Sequence, residues 1–568
     1  MKILQFHVDF IEYRPIEKEV ANAEDIDPKP VRKEDLLVLF TAVERGDDEA
    51  LVRTAVSDAK KFADNLKVNR IMIYPFAHLS QNLAKPSEAL PILENMEEDA
   101  KSSGLETFRA PFGWNKALEI KVKGHPLAEM SRNYGQTLST SSQQLVIEQR
   151  PQRQLSEHEL LARIKRSDFT GLPESDHRII GEKQDLFSFQ EPSPGMVYWH
   201  KNGLILFENL KNFVRAELAK LNYQEISTPA LANTVLWEVS GHSAHYKDNM
   251  FLTKLGDEEF GLKPMNCPAT FLIYKTKKWS YKELPVKYST FDPLYRNELS
   301  GVASGLFRVK ILTQDDAHII TTKEKAGEQI AEIIGLMERI YSIFGLSFKM
   351  KLSTRPDDSM GSNEEWEEAT DMLRQMLEQK NIKYEIKEKE GNFYSPKIDV
   401  DIKDSIGREW QCGTIQADMQ MPKKFSLTYV GEDGREHTAM VIHRTILGSL
   451  ERFAGVILEH YKGRLPVWLS PVQARVIPVS DAHIEYGKTV LSRLISIGLR
   501  VEGDFEPGTM SSKIKVAQIQ QIPFMLIVGE KEQTGKTVAV RTREGKVQYS
   551  VGVEEFMNQL KEKTAAFQ

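Results

Sequence analysis

The sequence predicts a multidomain protein that combines α+β and α/β folds. The chain has 568 residues, more than one hydrophobic core usually serves, so three or four domains are expected. Strand and helix patterns alternate near both ends of the chain, which indicates sheets covered by helices. A stretch at 134–154 is rich in Ser, Thr and Gln, which is typical of a flexible linker between compact regions.

The first compact region is predicted to contain strands and two helices. Leu51, Ala55 and Ala59 begin a helical spacing of apolar residues that predicts a helix over 48–66. The other predicted elements are strands at 1–10, 35–43 and 70–75, a helix at 88–102, a strand pair within 105–122 and a short charged helix at 156–165.

The second region begins near Asp176 and mixes strands with helices as far as about Tyr461. Helical periodicity over 204–221 leads into a strand at 223–228, which ends at Pro229. Beyond 466 a regular β/α alternation predicts a small sheet covered by helices. The strands there are predicted at 473–479, 500–505, 523–528 and 537–542, and the helices at 483–497, 513–521 and 553–563.

The composition excludes several classes of protein. Hydrophobic residues make up 41% of the chain and the net charge is −6, so a basic surface for nucleic acid would have to be confined to one face. Cys267 and Cys412 are the two cysteines, which favours a reducing cytoplasm over a disulfide framework. Because Asp9 and Glu12 interrupt the first apolar run and no apolar stretch is long enough to span a bilayer, we expect neither a signal peptide nor a membrane contact.

Residues 295–318, Y-R-N-E-L-S-G-V-A-S-G-L-F-R-V-K-I-L-T-Q-D-D-A-H, carry the strongest chemical signal. Arg296, Glu298 and Arg308 flank a Gly/Ser-rich loop. Guanidinium groups bind phosphate oxygens bidentately, so the pattern suits a nucleotide triphosphate. From the residues alone, a polar hairpin with surface ion pairs is equally open. A Gly-x(4)-Gly-Lys-Ser/Thr motif does not occur, which argues against a P-loop enzyme.

This segment resembles the second signature motif of class II aminoacyl-tRNA synthetases, and T-Q-D-D-A-H from Thr313 resembles the threonyl-tRNA synthetases in particular. D-H-R-I-I-G from Asp176 and P-G-M-V-Y-W-H from Pro194 also match that family. The resemblance implies a linker at 136–190, an antiparallel-sheet catalytic domain at 191–465 and an α/β anticodon-binding domain at 466–568. The helix–strand–Pro unit at 204–229 is similar to the first motif, which implies a homodimer.

The resemblance implies that four residues bind ATP, which would be bound together with Mg²⁺. Arg296 would hold the α-phosphate and the threonine carboxylate, and Glu298 would accept from the adenine amine. Arg308 would bind the outer phosphates, and Arg452, in H-R-T-I-L-G-S-L-E-R-F from His443, would bind the γ-phosphate. Such chemistry relies on positioned cations and needs no protein nucleophile. The loop reads R-V-K-I-L from Arg308, where the family commonly has R-V-R-G-F.

Zinc is implied in the same way. No spacing rule joins Cys267, His318 and His443, and a structural cysteine with two ordinary histidines is open on spacing alone. K-P-M-N-C-P, Q-D-D-A-H and I-H-R-T-I-L-G-S resemble the segments that hold zinc in threonyl-tRNA synthetases, which implies one Zn²⁺ per subunit with an open coordination position. A metal that demands a hydroxyl ligand rejects valine, which an apolar pocket does poorly. Residues implied to bind substrate beside it are Gln314, Asp316, Tyr394, Gln411 and Ser449. By itself, the pair Asp315-Asp316 would suit a helix N-cap.

The C-terminal region resembles the anticodon-binding domain of this synthetase subclass. V-G-E-K-E from Val528 and V-A-V-R-T-R from Val538 match it, which implies that Glu532 and Arg541, on adjacent strand ends, contact anticodon bases. A cross-strand ion pair between these two residues is the alternative.

Residues 1–135 resemble the archaeal editing domain of threonyl-tRNA synthetases, which is similar to D-aminoacyl-tRNA deacylases. H-V-D-F-I-E-Y, Y-P-F-A-H-L-S, A-P-F-G-W-N-K and G-H-P-L-A-E carry the match. It implies that His78, Lys116 and Glu129 surround the terminal adenosine and the seryl ester; Asn115 replaces a common aromatic. Editing is expected because serine differs from threonine by one methyl group, worth only about 1–3 kcal/mol.

Together these features predict an archaeal-type threonyl-tRNA synthetase that charges tRNA(Thr) with threonine, using ATP, and hydrolyses seryl-tRNA(Thr). Two alternatives are a class II synthetase of the same subclass, such as a prolyl enzyme, and a catalytically inactive synthetase-like RNA-binding regulator. The three potential zinc ligands argue against the first. Intact Arg296 and Arg452 argue against the second.

Overall fold

A computed structural model supplies the architecture, with two compact units at Met1–Gln152 and Arg153–Gln568. The structure describes residues 1–20, 23–26, 29–66, 68–80, 83–123, 129–134, 169, 171–241, 243, 247–298, 305–404 and 407–567. The helix predicted at 156–165 and most of the predicted linker lie outside these ranges. Within them, every helix is too short or too polar to cross a membrane.

The first unit is a six-stranded sheet with two helices. Its strands are β1 (Lys2–Lys18), β2 (Val31–Ala42), β3 (Arg70–Pro75), β4 (Glu106–Arg109), β5 (Trp114–Val122) and β6 (Glu129–Asn133), and its helices are α1 (Glu49–Asn65) and α2 (Pro86–Ser102). The strand order is β4-β3-β2-β1-β5, and β6 pairs with the first residues of β1. β3 is parallel to β2 and β4, whereas β1 is antiparallel to its neighbours.

Local chemistry explains two boundaries in this unit. Asp48 caps α1 by accepting a hydrogen bond from the N–H of Leu51 at 2.9 Å. Gly113 has a φ of +77°, and a Cβ atom there would lie 2.6 Å from Val20 Cγ2, so only glycine fits this turn. The turn separates β4 from β5, as predicted for 105–122, but the two strands do not pair with each other and lie at opposite ends of the strand order. β1 extends past the predicted residue 10 because its second half pairs with β5.

The second unit contains the large sheet. Its strands before 466 are β7 (Phe187–Phe189), β8 (Val197–Trp199), β9 (Gln224–Glu225), β10 (Leu231–Asn233), β11 (Leu252–Leu255), β12 (Glu258–Leu262), β13 (Val286–Thr290), β14 (Pro293–Tyr295), β15 (Ile311–Thr313), β16 (Asp316–Thr321), β17 (Ser347–Ser353), β18 (Tyr384–Lys387), β19 (Lys397–Lys403), β20 (Glu409–Asp418), β21 (Thr428–Val430), β22 (Glu436–Thr438) and β23 (Met440–Thr445). The accompanying helices are α3 (His177–Lys183), α4 (Lys201–Ala219), α5 (Val235–Val239), α6 (Cys267–Tyr274), α7 (Lys323–Ile343), α8 (Asn363–Gln379), α9 (Met421–Lys424) and α10 (Leu450–His460).

Eight strands form the sheet in the order β18-β17-β19-β20-β23-β16-β13-β9. The pairs are antiparallel except at the two edges, which confirms the predicted antiparallel core. Successive side chains of a strand point to opposite faces. Ile319 and Ile442 therefore enter the large core cluster, which includes residues of α4, α7, α8 and α10. Ile320 and Val441 join a second cluster with Cys267, on the face that carries His318 and His443.

Two segments differ from the expectation. The strand predicted at 223–228 is reduced to β9, because the N–H of Thr228 donates to Asp292 at 2.7 Å instead of extending the ladder. Within the predicted linker, α3 and β7 contribute Ile180 and Phe187 to the core cluster.

The C-terminal part of this unit is an α/β layer, as predicted. It comprises β24 (Ala474–Pro478), β25 (Val501–Gly503), β26 (Phe524–Val528), β27 (Thr537–Thr542) and β28 (Val547–Gly552), with α11 (Ile484–Ser496), α12 (Met510–Ile519), α13 (Glu530–Gly535) and α14 (Val553–Ala565). The strand order is β25-β24-β26-β27-β28. Arg500 ties the layer to the preceding segment, because it donates to the carbonyls of Trp468 (2.7 Å) and Ser470 (3.0 Å). β28 and α13 were not predicted.

Candidate active site and editing pocket

Three potential metal ligands meet although they are distant in sequence. His318 on β16 and His443 on β23 are directly opposed in the antiparallel register, and their ring centroids lie 4.8 Å apart. Cys267 is the first residue of α6, above the same face. The ligand atoms of the three residues lie within 4.8 Å of one another. Cross-strand pairing thus creates a cluster that no sequence spacing predicts.

The chemistry of this cluster fits a zinc ion. All three side chains are buried, and Nδ1 of His318 has no hydrogen-bond partner among the described residues. Burial, reinforced by the neighbouring His443, keeps the pKa of His318 well below its ordinary value, so its imidazole is neutral, as a ligand must be. Burial also raises the pKa of the Cys267 thiol well above its ordinary value; a bound cation reverses this effect and favours the thiolate. Two imidazoles and one thiol with an open side suit a functional zinc site.

Asp418 supports the cluster from behind and was missed by sequence reasoning. One of its carboxylate oxygens accepts from Nε2 of His443 at 2.9 Å. The other accepts from the backbone N–H groups of Gln420 (2.7 Å) and Met421 (3.0 Å). The carboxylate is therefore fixed, and it leaves the other ring nitrogen of His443 for a metal.

A cavity of about 180 Å³, here named the metal-ligand cavity, is lined by the three potential ligands. Of the predicted substrate residues, Gln314, Asp316 and Tyr394 also line it. The Asp316 carboxylate accepts from Asn266 Nδ2 at 3.1 Å. Gln416 lines the cavity as well, accepting from the hydroxyl of Tyr394 at 2.7 Å; the sequence analysis did not identify it.

The position of Gln411 corrects the expectation that it closes this cavity. A β-bulge lies at Cys412–Gly413, where the register shifts from Val400↔Gly413 to Asp401↔Gln411. The extra residue breaks the two-residue alternation of the strand, and Cys412 packs in the core cluster. The Gln411 amide donates to Asp399 at 2.6 Å. Gln411 and Ser449 both line the adjoining cavity instead.

That adjoining cavity, of about 630 Å³, is here named the arginine cavity, because Arg296, Arg308 and Arg452 line it together with Glu298. Three guanidinium groups and one carboxylate leave a positive balance, which suits a polyphosphate. Arg308 and Glu298 form an ion pair of 2.7 Å. Arg296 and Gln314 line both cavities, so they mark the junction between them.

Arg452 is held by the turn that starts its helix. Ser449 caps α10 by accepting from the N–H of Arg452 at 3.2 Å. Nε of Arg452 donates to the carbonyl of Phe307 at 2.9 Å. The preceding turn is fixed by Asp315, whose carboxylate accepts three backbone N–H bonds from residues 446–448 at 2.9, 3.0 and 3.1 Å. Asp315 therefore secures a turn and does not cap a helix.

The first unit has its own pocket, of about 680 Å³, here named the aromatic pocket because Tyr74, Phe76 and Trp114 line it. Lys116 lines it too; its Nζ donates to the carbonyls of Pro111 and Trp114, each at 2.9 Å. The Nζ atom of Lys116 lies 5.2 Å from the ring centroid of Tyr74. Burial lowers the pKa of Lys116 to about 8. A cation beside aromatic faces suits a nucleoside with adjacent negative charge.

The other predicted editing residues are placed by their backbone alone. His78 lies in a one-turn helix, Ala77–Leu79, and its neighbour Ala77 lines the aromatic pocket. Glu129 is the first residue of β6, paired with Phe6. The side chains of His78 and Glu129 lie outside the described part of the chain.

The predicted anticodon residues do not lie on adjacent strand ends. Arg541 is on β27, but Glu532 is in the short helix α13. The Glu532 carboxylate accepts from the N–H of Gly529 at 3.1 Å, which closes the first turn of that helix. Nε of Arg541 is buried and has no hydrogen-bond partner among the described residues. Their contact with tRNA stays a prediction.

Three family models match the chain. One is described as an Archaea-specific editing domain of threonyl-tRNA synthetase and matches residues 1–134. The second is the tRNA synthetase class II core domain (G, H, P, S and T), matching 251–461. The third is an anticodon binding domain, matching 473–563.

Individual relatives agree with these matches. A threonine–tRNA ligase from Carboxydothermus hydrogenoformans is 48% identical over 392 residues, which are 68% of this chain and 62% of that relative. The chain spans about 60% of the length of the curated relatives it matches. A solved structure described as a threonyl-tRNA synthetase from Aeropyrum pernix has a TM-score of 0.61 and 29% identity, covering 69% of this chain and 96% of that one. The crystal structure of the RNA-binding domain of threonyl-tRNA synthetase from Cryptosporidium parvum has a TM-score of 0.67 and 38% identity, and covers 68% of this chain and 98% of that one. The chain therefore belongs to the threonyl-tRNA synthetase family.

Proposed function

We propose that the chain is a threonine–tRNA ligase, which activates threonine with ATP and Mg²⁺ and transfers the threonyl group to the 3′ end of tRNA(Thr). The observation that carries this proposal is the place of Arg296 at the junction of the metal-ligand cavity and the arginine cavity. A guanidinium there can contact the carboxylate of an amino acid in one cavity and the α-phosphate of ATP in the other.

The reaction follows from this arrangement. A carboxylate oxygen of threonine attacks the α-phosphorus, the bond to the β-phosphate oxygen breaks, and threonyl-adenylate and pyrophosphate result. Negative charge grows on the phosphoryl oxygens, so preorganised cations lower the barrier. We assign Arg296 to the α-phosphate, Arg308 to the outer phosphates, Arg452 to the γ-phosphate and Glu298 to the adenine amine. The bonds from Arg452 to the carbonyls of Phe307 and Gln411 support its role, because they hold the guanidinium at the cavity wall.

We further propose that Cys267, His318 and His443 hold one Zn²⁺ per subunit. When bound, the ion would leave room beside its three protein ligands for the amine and the hydroxyl of threonine. Asp316 would accept from the same hydroxyl, with Tyr394 and Gln416 closing the cavity around the methyl group. A prolyl enzyme of the same subclass has no use for this hydroxyl-selective arrangement, and an inactive regulator has no use for three arginines at one cavity.

ATP–pyrophosphate exchange with threonine, serine, valine and proline tests the activation step. We expect strong exchange with threonine, weaker exchange with serine and none with valine. Exchange with proline alone would favour the prolyl alternative. Absence of exchange with every amino acid would favour the inactive RNA-binding regulator.

A second activity, hydrolysis of seryl-tRNA(Thr), is proposed for residues 1–135. The aromatic pocket carries this proposal, since Tyr74, Phe76 and Trp114 offer stacking faces for an adenosine and Lys116 a cation for the adjacent phosphate. We assign His78, Lys116 and Glu129 to this site. Deacylation of purified seryl-tRNA(Thr) and threonyl-tRNA(Thr) tests it. We expect hydrolysis of the seryl ester only; equal hydrolysis of both esters would refute selective editing.

The remaining assignments complete the proposal. We place the catalytic domain at 191–465 and the anticodon-binding domain at 466–568. Of the region 136–190, expected to be a linker, α3 and β7 belong to the core of the second unit, so we place the linker before α3. Glu532 and Arg541 would contact the anticodon of tRNA(Thr). We propose a homodimer, which light scattering can test, in the cytoplasm, where both the tRNA substrate and the two free cysteines would be expected.

A further inference from the structure

A buried histidine outside both cavities contacts the segment that leads to Arg308. His177, the first residue of α3, is 0% exposed. Its Nε2 accepts a hydrogen bond from the N–H of Leu306 at 3.0 Å, and its Nδ1 lies 2.7 Å from Oε1 of Glu459 on α10. Because Nε2 accepts, the proton resides on Nδ1, which donates to Glu459. The ring therefore joins α10 to the segment before Arg308.

The one-turn helix Gly305–Phe307 packs directly on this ring. Gly305 has a φ of +56°, and a Cβ atom on it would lie 2.2 Å from Nε2 of His177, so a side chain there would displace the ring. The Phe307 ring centroid lies 4.3 Å from that of His177. The carbonyl of Phe307 accepts from Nε of Arg452. A shift of this helix would therefore move both Arg452 and Arg308.

A second metal site is a poorer explanation of the same cluster. Ligand atoms of Asp176, His177 and Glu459 lie within 4.8 Å of one another. However, Arg178 donates twice to Asp176, at 2.9 and 2.8 Å, and Arg408 bonds to Glu459. Both carboxylates are thus already paired with guanidinium groups, and both nitrogens of His177 are engaged. The cluster is built to hold backbone, not a cation.

We propose that His177 is a positioning residue for ATP. By accepting from Leu306 and donating to Glu459, it fixes the carbonyl of Phe307, and through that carbonyl the guanidinium of Arg452. The hydrogen bond from Leu306 to His177 also fixes the backbone immediately before Arg308. This inference rests on the proposed ATP-dependent function, and it assigns His177 no contact with either substrate.

The experiment measures ATP affinity in the full-length chain by calorimetric titration with ATP and Mg²⁺, and the KM values of ATP and threonine by pyrophosphate exchange. His177→Ala removes both hydrogen bonds and releases the Phe307 carbonyl that holds Arg452, so we expect the Kd and KM for ATP to rise roughly tenfold, which corresponds to about 1.4 kcal/mol. We expect the KM for threonine and the zinc content to be unchanged. His200→Ala is the matched control, because His200 is 37% exposed and pairs with Asp185; it should leave ATP affinity unaltered.

Conservative variants separate positioning from general support of the fold. Gln at position 177 can place an acceptor near Leu306, so His177→Gln should recover most of the ATP affinity. Asn is shorter and reaches only Glu459, so His177→Asn should not. If His177→Ala does not fold, Gly305→Ala supplies a second route, since its Cβ disturbs the same contact; it should raise the KM for ATP and spare the KM for threonine. Combined with His177→Gln, its effect should be non-additive.

The results that would overturn the inference about His177 differ from those that would overturn the proposed function. Unchanged ATP affinity in His177→Ala with only a lower melting temperature, or equal weakening of ATP and threonine, would reduce His177 to a structural residue and overturn the inference. Failure of the proposed function looks different: the wild-type chain would bind ATP but exchange no pyrophosphate with threonine. A wild-type chain that binds no ATP would overturn both.

Discussion

Asp418 accepts a hydrogen bond from Nε2 of His443 at 2.9 Å, although 25 residues separate them. A carboxylate behind a ligating imidazole fixes the ring orientation and raises its basicity as a ligand. Asp418 is itself immobilised by two backbone N–H groups at the start of α9. The hydrogen bond to Asp418 therefore holds the His443 ring in one orientation, which leaves its other nitrogen free to bind a metal.

Replacement of Asp418 should weaken zinc binding without removing a ligand. We predict that Asp418→Ala lowers the affinity for Zn²⁺ about 10–100-fold, measured by competition with a chelator, and raises the KM for threonine. Asp433→Ala is the matched control, because Asp433 forms a 2.9 Å bond with Nε2 of His437 at the exposed surface. Equal zinc affinity in both variants would show that Asp418 does not orient the ligand.

Removal of the first unit should separate charging from editing. Residues Met1–Gln152 form a compact unit with its own sheet, core and aromatic pocket. We predict that the chain without them still charges threonine, while seryl-tRNA(Thr) accumulates in assays that supply both amino acids. The truncation stops before Asp176 because α3 belongs to the core of the second unit. Undiminished discrimination against serine in the truncated protein would mean that editing lies elsewhere.

Editing should depend on the charge of Lys116. Burial lowers the pKa of Lys116 from its ordinary 10.5 to about 8. Because the unfolded chain binds this proton more tightly, the stability of the unit should rise with pH between about 8 and 10.5. Any role of the Lys116 cation in editing has the opposite pH dependence, because the positive charge is lost as the pH rises through about 8.

We therefore predict that seryl-tRNA hydrolysis, corrected for the spontaneous rate, falls above a pH of about 8 in the wild type. Arginine stays charged at these pH values, so Lys116→Arg should remove this fall. Lys116→Met should lower the rate throughout. An identical pH profile in the wild type and both variants would exclude the ammonium group from the reaction.

Arg541 should matter for tRNA and not for activation. Arg541 lies on β27, within the residues that match an anticodon binding domain. We predict that Arg541→Ala weakens charging of tRNA(Thr) by about 1–3 kcal/mol, seen as a higher KM for tRNA, and leaves pyrophosphate exchange unchanged. Arg493→Ala is the control, since Arg493 pairs with Glu554 at the surface. A similar loss in both variants would point to non-specific charge effects.

The site residues that could be predicted from the sequence lie in contiguous motifs, whereas those that were missed depend on the packing of strands. Arg296, Glu298 and Arg308 belong to one contiguous motif, and all three line the arginine cavity. Gln416 was missed, and Gln411 lines the arginine cavity and not the metal-ligand cavity. The bulge at Cys412–Gly413 breaks the two-residue alternation of β20, so the face of Gln411 could not be inferred from its spacing to Gln416. Bulges depend on cross-strand packing, which a single strand sequence does not display.

Contacts between residues far apart in the sequence are the second kind of feature that could not be predicted from the sequence. His177 and Glu459 are 282 residues apart, and their contact depends on how α3 packs against α10. Similarly, the C-terminal sheet was predicted from its regular alternation, but α13 was not, since a helix of one or two turns has too little periodicity to detect. Glu532 was therefore expected at a strand end, where the structure has a helix.

The central claim is that Cys267, His318 and His443 hold the zinc ion that selects threonine. Pyrophosphate exchange with threonine and valine, run with zinc analysis before and after chelation, tests it most directly in the wild type and in His318→Ala. We predict that threonine exchange disappears with the metal and returns when Zn²⁺ is added back to the wild type but not to His318→Ala, with valine inactive throughout. Full threonine exchange in the zinc-free wild type, or full zinc content in His318→Ala, would contradict the account.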